Sequence, residues 1–238
     1  GTRNELVSVQ RVPEHKIRVI ANVLDFERFR PAEAGTRQRI RTGLDLQDTT
    51  FLIPGRISIA KHQLGLILAA ARLKKKGRLR KNVRFLLAGR TYNASIGMLL
   101  PRLIRAYNLE KHFSLLGRVS SIQDLYTATD WVLLPSLYEG LPNAILEAHA
   151  CRLPVLVSHA ANLDAIAEDG VTGFEFATGS INSMTEALDM ALGLEPERLV
   201  EMGRAGHERV KQMFDPEKVL ESVNSLYEEL IKGRARTS

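Results

Sequence analysis

Two glutamates, Glu139 and Glu147, stand eight positions apart around the run Gly140-Leu-Pro-Asn-Ala-Ile-Leu146. On a continuous helix that spacing is a little over two turns, about 12 Å along the axis. Residues 131–134 read as a short buried strand, and Pro135, Ser136 and Gly140 then break the chain. Pro142 suits the first turn of a helix, residues 143–150 are a good helix sequence, and Leu153-Pro154 ends it. Glu139 therefore belongs to a loop and Glu147 to the helix after it. The helix's first N–H groups, from the stretch 141–146, lie between the two carboxylates and favour an anion such as phosphate. A diphosphate seated there would have a carboxylate on each side, and each carboxylate could accept from a sugar hydroxyl. A nucleoside diphosphate sugar has that shape, with a sugar at each end. Alone the pair is a weak sign, because a helix N-terminal acid and a solvated helix acid would look the same.

Strand and helix patterns alternate through the elements that must position these groups. Apolar β-prone runs cover residues 17–21, 49–53, 83–88, 113–116, 131–134, 154–158 and 171–176. Helical spacing covers 63–73, 96–107, 121–129 (capped by Ser120 or Ser121), 143–150, 163–167, 181–192, 196–213 and 216–232. Alternation from residue 49 to 193 predicts an α/β fold. It is a doubly wound, Rossmann-like parallel sheet of about six strands, with helices on both faces and a helical C-terminus. Residues 1–16 read as a linker or tag remnant, 17–232 as one domain and 233–238 as a disordered tail.

In such a sheet ligands bind at the carboxyl ends of the strands. Those ends carry Gly55, Arg56 and Lys61, then Gly89, then Gly117-Arg118-Val119, then Glu139-Gly140, then residues 159–162. Arginine can clamp a phosphate through two bonds, lysine adds a point charge, and glycines let a ligand approach the backbone. Each has a plain structural alternative, a turn cap or a surface helix start. Their convergence on one edge favours a binding site.

Composition narrows the classes. The formal charge of +6 admits nucleic acid, an anionic membrane surface or anionic small ligands. The densest basic run, 74–81, contains Gly77 and reads as a helix C-terminus complementing its dipole. No aromatic residue interleaves with it, which argues against nucleic acid. No zinc-ligand spacing and no apolar run of membrane-spanning length is present. The single cysteine, Cys151, excludes an internal disulfide, suits a reducing compartment and reads as packing at a helix end.

The series Gly55-Arg56 with Lys61, Leu87-Ala88-Gly89, Gly117-Arg118-Val119, the run from Pro135 to Glu147, and Asp169-Gly-Val-Thr-Gly-Phe174 resembles the C-terminal domain of retaining glycosyltransferases of family 4, the group 1 family. The resemblance covers residues 17–232. It implies one half of a GT-B enzyme, in which two Rossmann-like domains face a cleft and this half binds the nucleotide-sugar donor. By that pattern Arg56 and Lys61 hold the diphosphate, assisted by backbone near Gly140, Leu141, Asn143 and Ala144. Glu147 binds the ribose and Glu139, the catalytic residue, meets the transferred sugar. Backbone at Gly89, Arg118 and Val119 lines the nucleotide. UDP is the favoured nucleotide and GDP the next; no metal or other cofactor is expected. The resemblance further implies an N-terminal acceptor domain outside this chain and a lipid-linked or polysaccharide acceptor. It places the protein in the cytoplasm, with a peripheral place at the inner membrane face, and leaves the isolated chain able to bind donor but poorly active.

Three departures stand out. His62 follows Lys61 where the family has glycine, and it reads as a surface helix histidine in preference to a phosphate contact. Ala21-Asn22-Val23-Leu24-Asp25 replaces Pro-Asn-Gly-Val-Asp, and Ala160-Ala161-Asn162 with Asp164 replaces a Gly-Gly loop before glutamate. The last leaves the donor sugar open. His149, two positions past Glu147, faces another side of the helix and reads as structural. Two rival readings remain: another GT-B-like nucleotide-sugar enzyme such as a 2-epimerase, and a non-catalytic basic binding module built on segments 28–41 and 74–81.

Overall fold

The computed structural model describes the chain apart from residues 1–5, 21, 34, 215 and 236–238. Its centre is a six-stranded sheet of β1 (Thr50–Pro54), β2 (Arg84–Ala88), β3 (Phe113–Gly117), β4 (Trp131–Leu134), β5 (Val155–Ser158) and β6 (Gly173–Phe176). The order is β3-β2-β1-β4-β5-β6 and every pairing is parallel. Helix α1 (Thr36–Gly43) precedes the sheet. Crossovers follow in turn through α2 (Gln63–Lys75), α3 (Ala94–Ala106), α4 (Ile122–Ala128) and α5 (Asn143–Ala150). After β6 come α6 (Ile181–Leu192), α7 (Pro196–Met213) and α8 (Pro216–Ala235). The doubly wound expectation holds.

Alternate side chains of each strand serve two cores. Phe51, Ile53, Phe85, Leu87 and Trp131 face α2, α3 and α6, whose Leu66, Leu100 and Leu188 are buried with them. Leu52, Leu86, Val132, Val155 and Val157 face α4, α5 and α7, where Tyr126, Ile145 and Val210 close over them. Four near-parallel ring contacts, Phe113–Phe85, Phe85–Phe51, Phe51–Trp131 and Trp131–Phe174, run along the first face at centroid spacings of 4.8, 5.1, 6.4 and 5.9 Å. The second core also holds Leu24 and Phe29, the latter edge-on to Tyr126.

Several expectations are corrected. Residues 17–20 form no strand, and Ala21 lies outside the described residues. Arg18 interrupts the run and reaches to Glu229 (2.9 Å), and Val19 stays exposed. Residues 163–167 form no helix. The Asn162 side chain bonds both the N–H and the carbonyl of Ala167 (2.9 Å each), pulling the segment into a closed loop with Ala165 at φ 49°. The last strand starts at Gly173 rather than residue 171, because Val171 and Thr172 close a turn onto the Glu168 carbonyl. Ser121 occupies the cap position of α4 without a side-chain capping bond. Pro142 is the residue before α5 rather than inside its first turn. Helix α8 continues to Ala235, and residues 236–238 of the expected tail lie outside the described residues.

Three cations of the basic segments are used within the fold. Arg37 and Arg41 both pair with Asp130 (2.5 and 3.2 Å), whose carboxylate also accepts from the Thr50 N–H (2.8 Å). Lys74 donates to the Asn108 carbonyl (2.5 Å). Gly77 closes the end of α2 at φ 68°, as its place after a basic last turn predicts.

Candidate active site

Strand order reverses its direction of growth between β1 and β4, so the loops that leave these neighbours part to opposite sides and open a crevice. The loop after β1 carries Gly55, Arg56 and Lys61; the loop after β4 carries Ser136, Glu139 and Gly140. The two are bonded across the crevice, Leu137 N–H to the Ala60 carbonyl at 2.7 Å.

Lys61 and Glu139 form an ion pair through Nζ and Oε1, with side chains 23% and 13% exposed. The same oxygen accepts from Ser136 Oγ at 2.6 Å. Ser136 is fully buried, and its carbonyl accepts from Ser158 Oγ at 2.5 Å, tying the loop to the end of β5. The Lys61 stem crosses over Gly55, whose φ of 124° suits only glycine. Glu139 is thus fixed by two donors, and Lys61 already holds a carboxylate.

Beside this pair lies an open cleft of about 490 Å³ over the ends of β1, β2 and β3. Arg56, Gly89, Arg118 and Val119 line it, as the sequence places them, together with Arg90 and Tyr92. Three guanidinium groups and no carboxylate are among its lining residues. That lining attracts an anion without competition from fixed negative charge. Gly89 has a packing reason as well: a Cβ there would stand 1.9 Å from the Gly55 carbonyl oxygen. Its bareness lets the loops after β1 and β2 lie together.

Gly140 and Leu141 are on the β4–α5 turn, Asn143 and Ala144 open α5, and none of the four lines that cleft. Helix α5 begins at Asn143 with no side-chain cap, so its first N–H groups face outward toward the crevice end of the sheet. The Ile145 N–H is taken by the Pro142 carbonyl (2.9 Å), which narrows the donors expected over 141–146. Asn143 Oδ1 accepts from Asn22 Nδ2 at 2.6 Å, so the residue at the altered N-terminal motif does reach the helix start.

Glu147 is on α5 and accepts from the Tyr126 hydroxyl of α4 at 2.6 Å. Burial, reinforced by that carboxylate, holds the Tyr126 hydroxyl well above the usual tyrosine range, so it remains a donor. Burial and then Glu147 push the Cys151 thiol up to about 12, which leaves it inert, as expected. His149 is fully buried and its Nδ1–H donates to the Leu153 carbonyl (3.2 Å); burial lowers it to about 4. It is structural. His62 is not the exposed surface residue expected of it. It sits at φ 51°, half-buried, with its ring on the first turn of α2, where a Cβ at Gly65 would meet Nε2 at 2.2 Å.

Sequence reasoning missed four residues. Gln63, 2% exposed, donates to the Arg56 carbonyl (2.9 Å) and accepts from the Ser58 N–H (3.3 Å), fixing the Arg56 loop. Ser136 and Tyr126 hold the two glutamates. Tyr92 stacks under Arg56, the guanidinium carbon 5.3 Å from the ring centroid. Polar residues inside helix and loop patterns carry no periodic signal, and only proximity to charged residues in the fold exposes them.

The model of the family described as "Glycosyl transferases group 1" matches residues 36–209. A D-inositol 3-phosphate glycosyltransferase of Gordonia bronchialis is 29% identical over 98% of this chain and 51% of its own length. Among solved structures, a glycosyltransferase of Rickettsia africae superposes with a TM-score of 0.86 at 20% identity, covering 97% of this chain and 62% of that one. The Anabaena protein HepE, solved in complex with UDP, superposes with a TM-score of 0.80 at 22% identity, covering 92% and 58%. The chain thus spans about half the length of the curated relatives it matches, and its sheet is that of one half of a GT-B glycosyltransferase. The chain belongs to the group 1 glycosyltransferase family.

Proposed function

We propose that this chain is the donor-binding half of a retaining glycosyltransferase. It moves a hexosyl group from a nucleoside diphosphate sugar, UDP-sugar foremost, to an acceptor held by an N-terminal domain. The observation that carries this reading is the crevice between the loops of β1 and β4, where Arg56, Lys61 and Glu139 gather before the uncapped start of α5. The UDP complex of HepE supports the choice of nucleotide.

In this account the diphosphate lies between Arg56 and the first turn of α5, with Lys61 turning from Glu139 to share it. The nucleoside lies along the cleft past Gly89, Arg118 and Val119, and Glu147 accepts from the ribose. The bond from the anomeric carbon to the phosphate oxygen breaks, and its electron pair stays on the leaving diphosphate. Guanidinium, ammonium and backbone donors are worth most where that charge appears. Glu139, fixed by Ser136, faces the positive charge developing on the sugar. The acceptor hydroxyl enters on the face the diphosphate leaves and gives its proton to the departing phosphate oxygen, so no covalent nucleophile is assigned. No metal is invoked, because these residues supply the positive charge.

The acceptor is a lipid-linked or polysaccharide species, and the enzyme works in the cytoplasm at the inner membrane face. Isolated, the chain binds donor and transfers little sugar. Product analysis tests this. The chain joined to its N-terminal half should convert UDP-sugar to UDP and a glycoside of retained anomeric configuration, and the chain alone should form neither at a comparable rate. An isomerised nucleotide sugar would point to a 2-epimerase. The basic-module reading is disfavoured by Arg37, Arg41 and Lys74, which are spent on internal partners.

A further inference from the structure

Tyr92 is 68% exposed, and its ring has no place in either core. Its backbone is nonetheless well fixed. Thr91 makes a parallel bridge with Ile57, and the Ile57 N–H donates to the Arg90 carbonyl at 2.9 Å, so the loops after β1 and β2 are held in register. On its other side, Asn93 caps α3 by accepting from the N–H groups of Ser95 (2.9 Å) and Ile96 (3.2 Å). An exposed aromatic ring is thus set between a bridge and a capped helix start. The group it meets is the Arg56 guanidinium, whose own main chain is clamped by Gln63.

We propose that Tyr92 is a positioning residue for Arg56, holding the guanidinium over the cleft in the pose that receives a diphosphate. The inference rests on the donor-site reading above. A free arginine side chain loses rotamer freedom when it closes on a ligand. A ring already stacked beneath it removes part of that loss, and the stack leaves the guanidinium edge, where the N–H donors lie, open to the ligand.

A double-mutant cycle read by UDP titration tests it, with circular dichroism as the control for folding. Tyr92→Ala should weaken UDP binding about two- to fivefold, the range of an exposed cation–π contact. Tyr92→Phe should keep wild-type affinity, because the ring and not the hydroxyl does the holding. In the Arg56→Ala background, Tyr92→Ala should cost nothing further. An equal loss in that background would mean the ring stacks on the nucleoside itself, and the proposal falls. It falls as well if Tyr92→Ala binds like wild type or if Tyr92→Phe is as weak as Tyr92→Ala. The stack has its own readout without ligand: NMR signals of the Arg56 side chain should carry a ring-current shift that Tyr92→Ala abolishes. No shift overturns the proposal whatever UDP does. A shift in a folded protein that binds no UDP overturns the donor reading and, with it, the positioning role.

Discussion

Replacing Glu147 by alanine strands the Tyr126 hydroxyl inside the protein. Tyr126 is fully buried and its hydroxyl is 2.6 Å from the Glu147 carboxylate. A buried donor left without an acceptor costs about 1–3 kcal/mol. For a domain of this size each kcal/mol moves the melting temperature by about 2–4 °C. Glu147→Ala should therefore lower it by about 2–12 °C. Tyr126→Phe removes the hydroxyl and leaves a carboxylate that water can reach, so in that background Glu147→Ala strands nothing and should cost under about 1 kcal/mol. Urea or thermal unfolding of the four proteins gives the coupling energy. UDP titration of the same four separates the two duties of Glu147: any affinity lost in Glu147→Ala beyond that lost in Tyr126→Phe measures the ribose contact. Equal destabilisation in both backgrounds would refute the claim that Tyr126 and Glu147 depend on one another.

Two further predictions follow from the ionisable groups. Glu139→Gln removes the charge that Lys61 now satisfies, so UDP alone should bind about two- to fivefold more tightly while sugar transfer by the full enzyme is lost; calorimetry and product assay must move in opposite directions. His149 takes its proton near 6.5 when unfolded but near 4 when folded. The native state therefore binds fewer protons in that window, and the stability this gives is complete above pH 6.5 and lost as pH falls toward 4. The size is about 3 kcal/mol. Burial lowers His62, His112 and His207 in the same direction. Urea midpoints measured from pH 7 to pH 4 should fall, and His149→Gln should flatten the slope.

The sheet was legible because five of the six strands are apolar runs stopped by glycine, proline or a polar turn, and the helices between them keep helical spacing. Residues 143–150 were bounded correctly as a helix from Pro142 and the Leu153-Pro154 stop. Residues 163–167 misled because helix-favouring side chains there are overruled by one asparagine that closes a loop, a tertiary choice with no local pattern. Residues 17–20 misled because a short β-prone run becomes a strand only when it pairs, and no strand of the sheet pairs with it. Arg56, Lys61 and Glu139 could be singled out from sequence because charge in the loop after a strand is conspicuous, and Glu147 by its spacing from Glu139. Their holders could not, since Gln63, Ser136 and Tyr126 differ from ordinary polar or core residues only by what they touch.

The most direct test is titration calorimetry of this chain with UDP, GDP and ADP, on wild type, Arg56→Ala and Glu147→Ala. The account predicts saturable binding of UDP in preference to the other two, weakened by Arg56→Ala and weakened again by Glu147→Ala beyond the loss in the Tyr126→Phe control. A folded protein that binds none of the three, or that binds UDP equally well without Arg56, would contradict it.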